Sequence, residues 1–166
     1  MLGRRGLGLG LLGAASLAGA RKVRAAGWPE HPLRWVVGYP PGGASDVFAR
    51  LIGAGMGAAL GQNVVVENRP GGGAVLASEV VSHAAPDGYT WLHTDNGNLV
   101  YNPALYAKLP YDPDRDLTGV GFIGRFPLFL VVRPDDPAKG FADFLAAAPK
   151  DPPTYGTAGV ASPHHL

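Results

Sequence analysis

Three clusters of side chains have types that could do chemistry. Ser162, His164 and His165 place a hydroxyl and two imidazoles within four positions, the makings of a nucleophile and its base. A Ser-x-x-His spacing is weak support by itself, because a triad needs geometry and an orienting acid. His93 and Asp95 could exchange a proton, but no third partner or nucleophile accompanies them, and a polar loop histidine is the better reading of the pair. Asp112, Asp114 and Asp116 crowd carboxylates into a proline-rich stretch, a pattern more typical of solvated turns than of a metal site. The cysteine-free chain excludes disulfides and thiolate metal centres. No metal ligand set and no cofactor is expected.

A fourth stretch does its chemistry through the backbone. In Tyr39-Pro40-Pro41-Gly42-Gly43-Ala44-Ser45-Asp46, two prolines set φ and two glycines remove Cβ atoms where something must approach the main chain. Ser45 or Asp46 offers an oxygen to the open N–H groups of a following helical turn. Such a turn presents unpaired donors and the positive end of a helix dipole, suited to a small anion. Without a ligand, the same octet is an ordinary capped turn.

The flanking elements make this a strand-to-helix junction. Leu33–Tyr39 is apolar and β-branched, and reads as a buried strand. From Val47 to Leu60, apolar residues recur at helical spacing, with Gly61 as a left-handed cap. Gly53, Gly55 and Gly57 weaken that helix by about 1 kcal/mol each. A second strand, Val64–Val66, leads through Gly71-Gly72-Gly73 to a helix over 74–84, and a third spans Tyr89–His93. Strands alternating with helices imply a parallel sheet with ligands at the strands' carboxyl ends, where Thr94-Asp95-Asn96 also lies. Further on, a short helix begins at Asn102, strands are expected at 120–123 and 128–132, and a helix at 141–148. The loop Thr157-Ala158-Gly159-Val160-Ala161-Ser162 then repeats the first junction, with Ser162 as N-cap and Pro163 at the first helical position.

Charge and composition narrow the partners. The chain has 14 basic and 13 acidic residues, but five bases and no acid fall in the first 26. Residues 27–166 therefore carry nine bases against 13 acids, a net charge of −4 that argues against nucleic acid as a partner. Arg4-Arg5, the apolar run Leu7–Ala20 and the small residues around it describe a signal peptide over 1–26, of the twin-arginine kind, cleaved between Ala20 and Gly27. The run is too short to span a membrane, which takes roughly 20 apolar residues. Two G-x-G-x-x-G matches, at 8–13 and 119–124, lack the strand-then-helix setting of a dinucleotide site. The turn at 71–73 lacks the Lys-Ser/Thr of a phosphate-binding loop.

Taken in order, several of these pieces resemble the periplasmic solute receptors of tripartite tricarboxylate transporters, the Bug-type receptors. They are Trp28-Pro29, the 39–46 turn, Leu60-Gly61-Gln62, Val66-Glu67-Asn68-Arg69-Pro70-Gly71 and Ala84-Ala85-Pro86-Asp87-Gly88-Tyr89-Thr90. Asn102-Pro103-Ala104-Leu105-Tyr106, Leu109-Pro110-Tyr111-Asp112-Pro113 and Tyr155-Gly156-Thr157-Ala158-Gly159 follow. The resemblance implies an α/β fold of the type II periplasmic binding-protein (Venus flytrap) kind: a first lobe over 27–120, then a crossover and a truncated start of the second lobe over 121–166. It implies a non-enzymatic receptor that captures a small carboxylate or related solute and hands it to membrane permease subunits. The setting would be periplasmic or otherwise extracytoplasmic, and the full-length form monomeric. First-lobe contacts would come from Tyr39, Pro41, Gly42, Gly43, Ser45, Asp46, Thr94 and Asn96, and second-lobe contacts from Thr157, Ala158, Gly159 and Ser162, with His165 matching the family's histidine. Many relatives carry Gly or Thr after the strand at 93–97, where this chain has Thr94-Asp95-Asn96-Gly97, so Asp95 either alters selectivity or faces away. The alternatives are a hydrolase built on Ser162 and His165, or a sensory or interaction module without transport. Such receptors run to about 300 residues after export, so 27–166 alone is expected to bind at least about a hundredfold more weakly, about 2.7 kcal/mol.

Overall fold

The computed structural model describes residues 27–150 and 152–166, so the signal-peptide reading and the first G-x-G-x-x-G match lie outside the described residues. Residues 1–30 and 31–166 form two separate units; of the first, only Gly27–Glu30 is described, with a cis Trp28–Pro29 peptide.

Strand β1 (Leu33–Val37) is central, flanked by β2 (Val64–Asn68) and β3 (Thr90–His93), all parallel, in the order β2-β1-β3. Leu33 pairs with Val64, while Trp35 lies beside Val66 on one side and Trp91 on the other. The two indoles meet edge to face at 5.8 Å. A central parallel strand is covered on both faces, and Leu33, Val36 and Val37 are accordingly inaccessible to water. Complete burial of each such side chain stabilises by about 1.5–3 kcal/mol.

Helix α1 (Ala44–Leu60) connects β1 to β2, and α2 (Val75–Ser82) connects β2 to β3. Right-handed crossovers running in opposite directions set the two helices on opposite faces. Ile52 and Met56 of α1 pack on the Trp35–Val37 core, and Gly53 brings the helix close to the sheet, its missing Cβ 3.1 Å from Val64 Cγ1. Gly38 does the same for α2: a Cβ there would sit 2.1 Å from that of Ala74. Beyond β3 come a π turn (Gly97–Tyr101), α3 (Asn102–Leu105), α4 (Pro113–Asp116) and α5 (Phe141–Ala147).

The sequence reading is corrected at several places. β1 stops at Val37, two residues early, because Gly38 and Tyr39 already turn toward the loop. α1 starts at Ala44 with Gly43 as N-cap, and neither Ser45 nor Asp46 caps it. The expected strands at 120–123 and 128–132 are irregular: no partner strand takes up their backbone groups among the described residues, and Val120, Phe122, Phe129 and Val131 are exposed. The expected helix at Ser162 is a set of turns, closed by Ser162 C=O accepting from His165 N–H at 2.8 Å. The carboxylates at 112–116 cap a one-turn helix, Asp112 accepting from the N–H groups of Asp114 and Arg115.

Asp46 anchors the first turn. It is buried, and its carboxylate accepts from Gly42 N–H (2.9 Å) and Asn68 Nδ2 (3.0 Å) while pairing with Arg50 (2.8 Å). The bond from Arg50, then that from Gly42, holds its pKa down at about 2.

Two predictions follow from this packing. Gly38→Ala should destabilise by about 1–3 kcal/mol through overpacking against Ala74, whereas Gly55→Ala, in open space on α1, should stabilise by up to about 1 kcal/mol; urea midpoints compare the two. Asp46 has a folded pKa below its unfolded one, so its contribution is complete above the unfolded value, near 3.9. It is lost as pH falls toward about 2. Asp46→Asn should therefore cost stability at pH 7, and the gap to wild type should shrink between pH 4 and pH 2.5 in urea titrations.

Candidate functional site

In a parallel sheet ordered β2-β1-β3, the strand order reverses between β1 and β3, and the crevice beyond their carboxyl ends is where such folds bind ligands. Tyr39, just past β1, donates its hydroxyl to Asp95 Oδ2 at 2.7 Å, just past β3. That bond joins the two rims. Tyr39 is buried, and burial together with the Asp95 bond pushes its phenol pKa far up, so it remains a donor.

The proline–glycine turn leaves donors open, though not the expected ones. Gly42, at φ +83°, gives its N–H to Asp46, and Gly43 N–H lies 3.4 Å from Pro40 C=O. The first bond within α1 runs from Val47 N–H to Gly43 C=O, so the N–H groups of Ala44, Ser45 and Asp46 have no acceptor inside the helix. Pro41, Gly42 and Gly43 are exposed beside them, and Ser45 is half-buried. The donors are displaced by two residues because Asp46 turns back onto the loop.

The second glycine turn is held from beneath. Asn98 donates to Ala74 C=O (3.1 Å) and Ser78 Oγ (2.7 Å), and Asn102 donates to Gly73 C=O (3.0 Å). Tyr111 hydroxyl donates to Asn98 C=O at 2.8 Å. All four side chains are buried. Ala74 takes a left-handed conformation at φ 66°, which costs a non-glycine residue roughly 1–2 kcal/mol. Gly73 then lies so close to the 161 loop that a Cβ would stand 2.7 Å from Ala161 C=O. Pro163 packs beside Gly97, where a Cβ would stand 3.4 Å from its ring.

The structure thus brings part of the late loop against the β3 rim. Ser162 is buried with its Oγ unpartnered, while Thr157 Oγ1 accepts from Gly159 N–H at 3.3 Å and Ala158 is exposed. His165 is exposed and its ring lies 6.1 Å from that of Tyr155. Ser162 makes no hydrogen bond to a histidine side chain among the described residues, so no nucleophile–base pair is assembled. Thr94 is half-buried and its hydroxyl donates to Asp95 C=O at 3.4 Å; Asn96 donates to Tyr101 hydroxyl at 2.8 Å. His93 is buried against Trp35, and burial lowers its pKa, opposed by Asp95. No group of three or more His, Asp or Glu side chains suited to a metal occurs among the described residues.

Asn68, Asn102 and Tyr111 enter the sequence analysis only as parts of motifs. Asn68 donates to both Tyr39 C=O (3.0 Å) and Asp46, and Arg50 donates to its Oδ1 at 2.9 Å. Its position two residues after a valine run and directly before Arg-Pro-Gly was the available signal.

Residues 48–166 match the family described as tripartite tricarboxylate transporter family receptor. A UPF0065 protein from the tcbD–tcbE intergenic region of a Pseudomonas strain is 36% identical over 99% of this chain and 49% of its own length. Protein BugT of Bordetella pertussis is 38% identical over 69% of this chain and 36% of its own length. Among solved structures, an adipate-bound protein of R. palustris is similar at TM-score 0.75 and 34% identity, covering 81% of this chain and 46% of that one. MatC from Rhodopseudomonas palustris with bound malate is similar at TM-score 0.69 and 38% identity, covering 74% and 42%. The chain spans about half the length of the curated relatives it matches. Its parallel α/β sheet, its rim of backbone donors and this sequence match agree: the chain belongs to the tripartite tricarboxylate transporter receptor family, a family of periplasmic solute-binding receptors and not of enzymes.

Proposed function

We propose that the protein captures a small carboxylate at the carboxyl ends of β1 and β3 and delivers it to the permease subunits of a tripartite tricarboxylate-type transporter. The carrying observation is the N-terminus of α1, where the N–H groups of Ala44, Ser45 and Asp46 lack helical acceptors at the point where the strand order reverses. Aligned N–H groups at a helix start bind carboxylates without a cationic side chain. Relatives solved with adipate and malate support the ligand class. In this reading 27–120 is the first lobe and 121–166 the crossover and the beginning of the second, whose Thr157, Ala158, Gly159, Ser162 and His165 face the ligand from the other side. Pro41, Gly42 and Gly43 keep the approach to the donors open. The protein acts outside the cytoplasm after removal of residues 1–26, and mass spectrometry of the mature form is expected to find an N-terminus between Ala20 and Gly27.

The binding test uses Gly43→Val. A Cβ at 43 would touch only Pro40 C=O, at 3.5 Å, so the fold should tolerate valine, whose branches then crowd the donors. Calorimetric titration of the protein expressed from its own gene, with di- and tricarboxylates, should give at least about tenfold weaker binding for the variant, about 1.4 kcal/mol. Equal affinity in variant and parent, with matching thermal melts, would remove α1 from the site.

A further inference from the structure

Asp95 is the acidic group at the junction of three segments. One oxygen accepts from Tyr39 hydroxyl at 2.7 Å and the other from Gly97 N–H at 2.8 Å. Gly97 in turn lies against Pro163, so the β1 rim, the β3 rim and the late loop converge on this side chain. A carboxylate offers about four acceptor positions. Two are used here, and the side chain is only half-buried. No Lys, Arg or His is ion-paired with it among the described residues: Arg50 is engaged by Asp46 and Asn68, while Arg34 and Arg69 both pair with Glu67. The buried His93 beside it is kept toward its neutral form by burial.

We infer that Asp95 sets the selectivity of this receptor: the ligand's far end carries a hydrogen-bond donor, an ammonium or hydroxyl group, and not a second carboxylate. The inference rests on the proposed carboxylate site at α1. One end of the ligand meets N–H donors there. The other end meets a half-buried carboxylate with no cationic partner among the described residues and two acceptor positions open, where a second carboxylate would face like charge. A donor at that end completes Asp95; a carboxylate would be placed against it.

The test compares ligands matched in length but differing at one end: succinate against 4-aminobutyrate and 4-hydroxybutyrate, and adipate against 6-aminohexanoate. Titrations use the protein expressed from its own gene, with Asp95→Asn and Tyr39→Phe alongside and thermal melts of each. Wild type should prefer the amino or hydroxy compound over the matched dicarboxylate by at least tenfold. Asp95→Asn should lower that ratio at least tenfold. Tyr39→Phe removes the same hydrogen bond but leaves the charge, so it should weaken binding overall while preserving the ratio. If both variants move the ratio alike, or Asp95→Asn leaves it unchanged while carboxylates still bind, Asp95 is a structural residue and the inference falls. If no carboxylate of any kind binds, the receptor site at α1 falls with it.

Discussion

The turn between β1 and α1 depends on a buried carboxylate whose two oxygens both have partners. Asp46 sits in the first turn of α1, where a negative charge is favoured by the helix dipole, yet it does not cap the helix. It reaches back to Gly42 and sideways to Asn68 and Arg50. Asn68 continues the connection by donating to Tyr39 C=O, so the end of β2 holds both the exit of β1 and the start of α1. A buried polar group without partners would cost about 1–3 kcal/mol. Here each partner is also a structural joint, and the turn's shape and the availability of its donors have the same cause.

The second rim is built by the same economy of atoms, with small residues in place of charge. Gly38 allows α2 to approach until Ala74 occupies the space a side chain would take. Ala74 in turn accepts from Asn98 and Ser78 through one carbonyl. Buried Asn98 and Asn102 specify the backbone path of 73–74 more tightly than apolar packing does, because a shifted carbonyl would strand their amide groups. Rigid turns on a rigid sheet suit a receptor, which needs its donors aligned before the ligand arrives.

How much of this was legible in the sequence depended on whether the signal was local. The three strands, α1, α2 and the Gly61 cap follow from periodicity and glycine placement, and they appear within a few residues of their expected bounds. The cap of α1 was misassigned because Ser45 and Asp46 have the right types, and only the fold reveals that Asp46 has stronger claims on it from Arg50 and Asn68. The Tyr39–Asp95 bond joins residues 56 positions apart, a distance at which side-chain pairing leaves no trace in spacing. The strands expected at 120–123 and 128–132 fail for a further reason. Alternating or continuous apolar residues state a demand for burial, and a ladder also requires a neighbour to accept its hydrogen bonds. Phe122 and Phe129, about four-fifths exposed, have the pattern without a neighbour among the described residues.

The electrostatics of the rim then constrain how the proposed site would hold an anion. Residues 27–166 are net negative, so the field of the whole protein does not draw an anion in. Arg50 is the cation nearest in sequence to the donors of α1, and its guanidinium is occupied by Asp46 and Asn68. Attraction must therefore come from backbone N–H dipoles, which act over a few ångströms and require close approach. That explains why the approach is lined by Pro41, Gly42 and Gly43, residues with little or no side chain to hold a ligand away. It also bears on the role proposed for Asp95. In the proposed site, dipoles would hold an anion less strongly than a paired arginine would, so one uncompensated charge at the far side of the crevice would be enough to decide between ligands that differ only there.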